Sequence, residues 1–193
     1  MSDIYISVDI EADGPVPGEY SMLAFGLCVA STFDGATFEA RDPAIDTFYR
    51  ELRPASDQVD PNALSVSGLD RDQLRETGAD PAEAMSEATT WVRRQSGSHQ
   101  PVMVGYPLVF DWMFIHWYFV RYCGESPFGF SGGLDMKSIY QAKARVTIDQ
   151  AGRNDLPDEL ASTGPHTHNA LDDAIEQAQI FNRLFAWKEP KCD

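Results

Sequence analysis

The sequence predicts an α/β domain with a mixed central sheet flanked by helices. Three observations lead there. β-prone apolar runs separated by turn residues fill the first forty positions. Helical stretches then alternate with short strands. A long amphipathic helix closes the pattern. With 193 residues, 43% of them hydrophobic, the chain suits one domain over 1–193 with a sizeable core.

Residues 4–10, Ile-Tyr-Ile-Ser-Val-Asp-Ile, alternate and carry β-branched side chains, so they read as a strand. Residues 12–19 hold two Pro and two Gly and read as a loop. Residues 22–30 and 37–41 are further strands, joined through the turn at 33–36, and complete an antiparallel meander. From Asp42-Pro43 onward the stretch is mixed. Short helices follow at 60–64 and 70–76, and a longer one opens at Asp80-Pro81 and runs to about residue 95. Pro101 to Gly105 is a short buried strand with Val102-Met103-Val104 at its centre, and residues 108–122 form a buried aromatic helix. Residues 132–137 pass from strand to helix. Residues 169–187 form the last helix, with Ala170, Ala174, Ala178, Ile180 and Leu184 among its apolar positions.

The formal net charge is −15, which taken alone argues against a nucleic-acid partner, because phosphate-binding surfaces are usually basic. The bland account of that charge is a solvated surface. A modest basic supply exists in Lys137, Lys143, Arg145 and Arg153, with Arg93 and Arg94 as another pair. Cys28, Cys123 and Cys192 are an odd number without a CxxC pair, which fits a reducing cytoplasm rather than a disulfide framework or zinc site. No stretch approaches the ~20 apolar residues of a membrane span, and no basic segment precedes an apolar run at Met1, so neither membrane nor signal peptide is expected.

Asp9 and Glu11 end the first strand two residues apart, so both project to one face. Side-by-side carboxylates repel unless one is protonated or a cation lies between them. Asp111 sits in the apolar run 109–115, where it acts as a helix N-cap, a ligand, or both. His168 precedes Asp173 by five positions at a helix start, an arrangement that brings both side chains to one side of a site. His166 competes with His168, and Asp172 with Asp173; the bland alternatives are a helix-entry histidine and a first-turn carboxylate.

Together these segments resemble the DEDDh 3′–5′ exonucleases, the ribonuclease T-like group with a ribonuclease H-like fold. The first motif is Val8-Asp9-Ile10-Glu11-Ala12-Asp13-Gly14 followed by the apolar strand from Met22. The second is Val102 through Asp111, and the third is His, four residues, Asp, a spacing that selects His168 and Asp173. Asn62 to Leu69 and Leu134-Asp135-Met136 are weaker matches, and the likeness covers residues 5–187. Ala12-Asp13 stands where many members carry Thr-Thr, Tyr106-Pro107 where many carry His-Asn, and Ser67-Gly68 where His-Gly is usual.

The resemblance implies hydrolysis of the 3′-terminal phosphodiester of single-stranded RNA or DNA to 5′-mononucleotides, with RNA favoured. It implies two divalent ions, Mg²⁺ or Mn²⁺, about 4 Å apart. Asp9 would bridge them, Glu11 and Asp173 would complete the site of the attacking water, and Asp111 would serve the second ion. His168 would take the proton, a role that suits imidazole chemistry. Ala12, Met22, Leu23 and Tyr106 would border the terminal nucleotide, with Met22 and Leu23 under its base. A homodimer is also implied, and the aromatic residues after Asp111 read as core or dimer contact. The rival expectation is a catalytically weak nucleic-acid-binding module of the same fold.

Overall fold

Alternation along the first strand sets the architecture. In β1 (Asp3–Ala12) the side chains of Ile4, Ile6, Val8 and Ile10 enter one core, while Tyr5 enters another on the opposite face. A strand buried on both faces belongs in the middle of a sheet, and β1 is central. The computed structural model describes residues 2–162 and 167–188. His166 and Cys192 lie outside them.

β2 (Met22–Phe33) runs antiparallel to β1. Its other edge is shared by β3 (Phe38–Ala40), paired along 31–33, and β4 (Thr47–Glu51), paired along 24–28. β5 (Gln100–Gly105) is parallel to β1, and β6 (Gly133–Asp135) is parallel to β5. The path is β3-β2-β1-β5-β6 with β4 also on β2, a mixed sheet. The meander expected from the sequence is present, but β4 was not foreseen. Its outer residues Arg50 and Glu51 disguise an edge strand, where charge is the usual protection. β1 also extends through Ala12 and β2 through Phe33, past the expected ends.

The helices are α1 (Pro61–Ser67), α2 (Arg71–Thr77), α3 (Pro81–Ser96), α4 (Leu108–Cys123), α5 (Met136–Ala144) and α6 (Ala170–Ala186), with short 3-10 turns at Ile148–Gln150 and Arg153–Asp155. Asp60, Asp70, Asp80 and Asp135 each cap a helix, their carboxylates accepting backbone N–H bonds in the first turn. Part of the acidic surplus is therefore structural. Gly68 ends α1 in the left-handed region at φ 64°, a conformation glycine adopts without a Cβ penalty.

α3 and α4 cover one sheet face through Met85, Trp91, Phe114 and Tyr118; α5 and α6 cover the other through Tyr140, Ala174, Ala178 and Phe181. The aromatic run of α4 is thus mainly core: Phe114, Tyr118 and Phe119 are fully buried. Cys28 and Cys123 are both free thiols. Among the described residues no helix is long and apolar enough to cross a membrane.

Candidate active site

The odd-numbered face of β1 carries Asp9 and Glu11 toward α6. Asp9 pairs across the sheet with Gly26 of β2. A Cβ at Gly26 would lie 2.4 Å from the Ala170 carbonyl oxygen and 2.5 Å from the Leu171 Cα. The missing side chain lets the first turn of α6 rest on the sheet at the level of Asp9. Asn169 caps that turn, accepting from the N–H groups of Leu171 and Asp172. Asp173 consequently faces inward at 2% exposure, whereas Asp172 is exposed. His168, just before the cap, is exposed and has a left-handed backbone at φ 54°. One ligand atom each from Glu11, His168 and Asp173 lie within 4.8 Å of one another.

Asp111 arrives from the other sheet face. It is not the cap of α4; that position is Pro107, which offers no side-chain hydrogen bond. The Leu108 N–H is instead satisfied by Asp135 Oδ1 at 2.9 Å, from the end of β6. Pairing of β1 with β5 stops at Ser7–Val104, so the edge of β1 beyond it is open. Asp111 Oδ1 fills that edge, accepting the Ile10 N–H at 3.1 Å. The Ile10 N–H anchors this carboxyl group, which sits beside Asp9 and Glu11.

Asp9, Glu11, Asp111, His168 and Asp173 all line one cavity of about 470 Å³. The crowding is electrostatically costly. Burial, then Asp111, Asp173 and Glu11, push the Asp9 carboxyl well above its usual range, with Arg153 opposing. Burial, then Asp173, push Glu11 up to about 7. Burial drives Asp111 to about 7 as well, against the lowering effect of the Ile10 N–H. Asp9, Glu11 and Asp111, which resist ionisation together, join Asp173 and one imidazole in a donor set, mostly of hard carboxyl oxygens, that fits a divalent cation such as Mg²⁺ or Mn²⁺.

Tyr106, Pro107, Phe110, Val66 and Arg153 also line it, with Ile10 and Asn154. Tyr106 is mostly buried, its hydroxyl donating to the Ala151 carbonyl at 3.0 Å. Ala12, Met22 and Leu23 are buried and do not line the cavity; Met22 packs in the α3–α4 core and its N–H donates to the Tyr118 hydroxyl. Asp13 turns away altogether. It is fully buried and accepts from Arg71 Nε at 2.8 Å and from the Ser21 N–H at 2.6 Å.

Of the modest basic supply noted in the sequence, Arg153 reaches the cavity, where it also pairs with Glu176 at 3.0 Å. Lys137 and Arg145 do not line it. Lys143 is used elsewhere, donating to the carbonyls of Leu184, Phe185 and Trp187 at the end of α6. Arg93 pairs with Glu125. Sequence reasoning passed over Gln177, which donates to Asp9 Oδ1 at 2.6 Å. Its signal was available: it lies one turn beyond Asp173, a polar residue in the stripe of Ala170, Ala174 and Ala178.

No family model matches the chain. A curated relative, the 3′-5′ DNA exonuclease Cap18 of Escherichia coli, is 34% identical over 190 residues, covering 98% of this chain and 95% of that protein. The nuclease domain of 3′hExo, described as a DEDDh family member bound to rAMP, superposes with a TM-score of 0.69 at 17% identity, over 95% of this chain and 92% of that one. E. coli Exonuclease I in complex with a dT13 oligonucleotide gives 0.69 at 15% identity; the match takes in 95% of this chain but 41% of the larger protein.

Proposed function

The chain belongs to the DEDDh family of 3′–5′ exonucleases, and on that premise we propose that it removes nucleotides stepwise from the 3′ end of single-stranded DNA. Asp9, Glu11, Asp111 and Asp173 would hold two divalent ions. One observation carries this: four carboxyl groups and His168, delivered by β1, α4 and α6, converge on one cavity. When bound, such ions neutralise the scissile phosphate and lower the pKa of the attacking water. The protein supplies the rest. His168 stands at the exposed rim, beside Glu11 and Asp173, where it takes the proton from water. Phe110 and Val66 offer apolar surface to a base, and Arg153 offers a cation to a phosphate. Tyr106 borders the terminal nucleotide on the α4 side. The Ala12–Met22 pair closes the β1–β2 end of the sheet next to Glu11.

DNA is preferred here to the RNA favoured by resemblance because the 34% identical relative is named a DNA exonuclease. The test incubates the protein with 5′-labelled single-stranded DNA and RNA, in Mg²⁺, Mn²⁺ or EDTA, beside Asp9→Ala. Stepwise 3′ shortening of DNA, lost with EDTA and in the variant, is expected. Faster shortening of RNA returns the RNA assignment, and no cleavage of either polymer favours a binding module. A homodimer is the assembly we infer, on the support of the exposed apolar residues Val109 and Phe130 beside the β6 edge; light scattering coupled to gel filtration measures it.

A further inference from the structure

We infer that Gln177 is the positioning residue of this site, fixing the Asp9 carboxylate and tying it to the turn that leads into Asp111. The inference rests on the nuclease reading above. Gln177 is 1% exposed, and both ends of its amide are engaged. Nε2 donates to Asp9 Oδ1 at 2.6 Å, while Oε1 accepts the Tyr106 N–H.

The orientation of that amide is not arbitrary. A backbone N–H only donates, so the oxygen must face Tyr106 and the NH₂ must face Asp9. Packing alone does not ask for a glutamine here. The flanking inward positions of α6 are Ala174 and Ala178, and an apolar side chain would leave the buried Tyr106 N–H unpaired. α6 thus contributes on successive turns: Asp173 joins the carboxylate cluster and Gln177 holds another member of it. With Oδ1 held, the plane of the Asp9 carboxylate is set before any ion enters. Groups that orient ligands in this way are worth about 10–100-fold in metal affinity or activity.

Mn²⁺ titration by calorimetry and single-turnover cleavage, on wild type, Gln177→Met and Gln177→Asn, test this. Methionine fills the volume and removes both hydrogen bonds; asparagine keeps the amide but is too short to span both partners. The expected result is Mn²⁺ binding weakened by about 10–100-fold with kcat reduced similarly, the oligonucleotide KM unchanged, and native circular dichroism. A purely structural role would lower Tm and leave Mn²⁺ affinity intact. Folded variants whose Mn²⁺ affinity and kcat stay within about twofold of wild type overturn the inference. If Gln177→Met does not fold, the Asn variant decides alone by the same criterion. Wild type that binds no Mn²⁺ and cuts nothing sinks the nuclease reading, and this inference with it.

Discussion

Glu11 and Asp111, each pushed up to about 7, and Asp9, raised with them, take up protons as the metal-free chain folds. For an acid whose folded pKa is raised, stability is greatest below the unfolded pKa and is lost as pH climbs through the folded one. Without metal, this cluster therefore destabilises the protein progressively from about pH 4 to about pH 7. Cations compete with those protons, so metal binding strengthens over the same range. The difference in Tm between Mg²⁺ and EDTA is expected to widen from about pH 6 to about pH 8; a difference independent of pH counts against the titration argued here. Asp111→Asn removes one of the repelling charges, so it is expected to abolish cleavage while leaving the EDTA-treated protein at least as stable as wild type by thermal melting. Arg71 behaves oppositely. Its partner Asp13 is fully buried, and Arg71→Leu strands that charge at a cost of about 3–5 kcal/mol, measurable by urea denaturation.

Between elements, the close approach of α6 to β2 decides whether the third motif meets the first. Gly26→Val places side-chain atoms where the Ala170 carbonyl now lies. The expected outcome is a loss of more than about 2 kcal/mol in stability and, in whatever folds, a loss of Mn²⁺ binding. Full activity in a folded Gly26→Val protein would show that α6 has freedom the packing denies it. The glycine illustrates what a sequence conceals. Asp9-x-Glu11 and the His168 to Asp173 spacing are local, so they are legible directly; the strands and helices are likewise written in periodicity and Asp caps. That Gly26 makes room for Ala170, or that Asp111 completes an open strand edge, depends on contacts over more than a hundred residues. β4 escaped for a related reason: its charged outer positions suit an edge and erase the alternation that marks a strand.

For the whole molecule, the charge of −15 and a cavity wall that carries one arginine among the described residues predict few phosphate contacts. For a single-stranded oligonucleotide, the slope of log affinity against log salt is expected to be shallower than about −2; a steeper one would reveal a basic track elsewhere. The bond between Gln177 and Asp9 joins residues 168 positions apart. A chain still emerging from the ribosome thus carries Asp9, Glu11 and Asp111 long before Asp173 and His168 exist. On the proposed mechanism, cleavage waits for α6 to dock, and a message that breaks off early is expected to yield a protein that cannot cut.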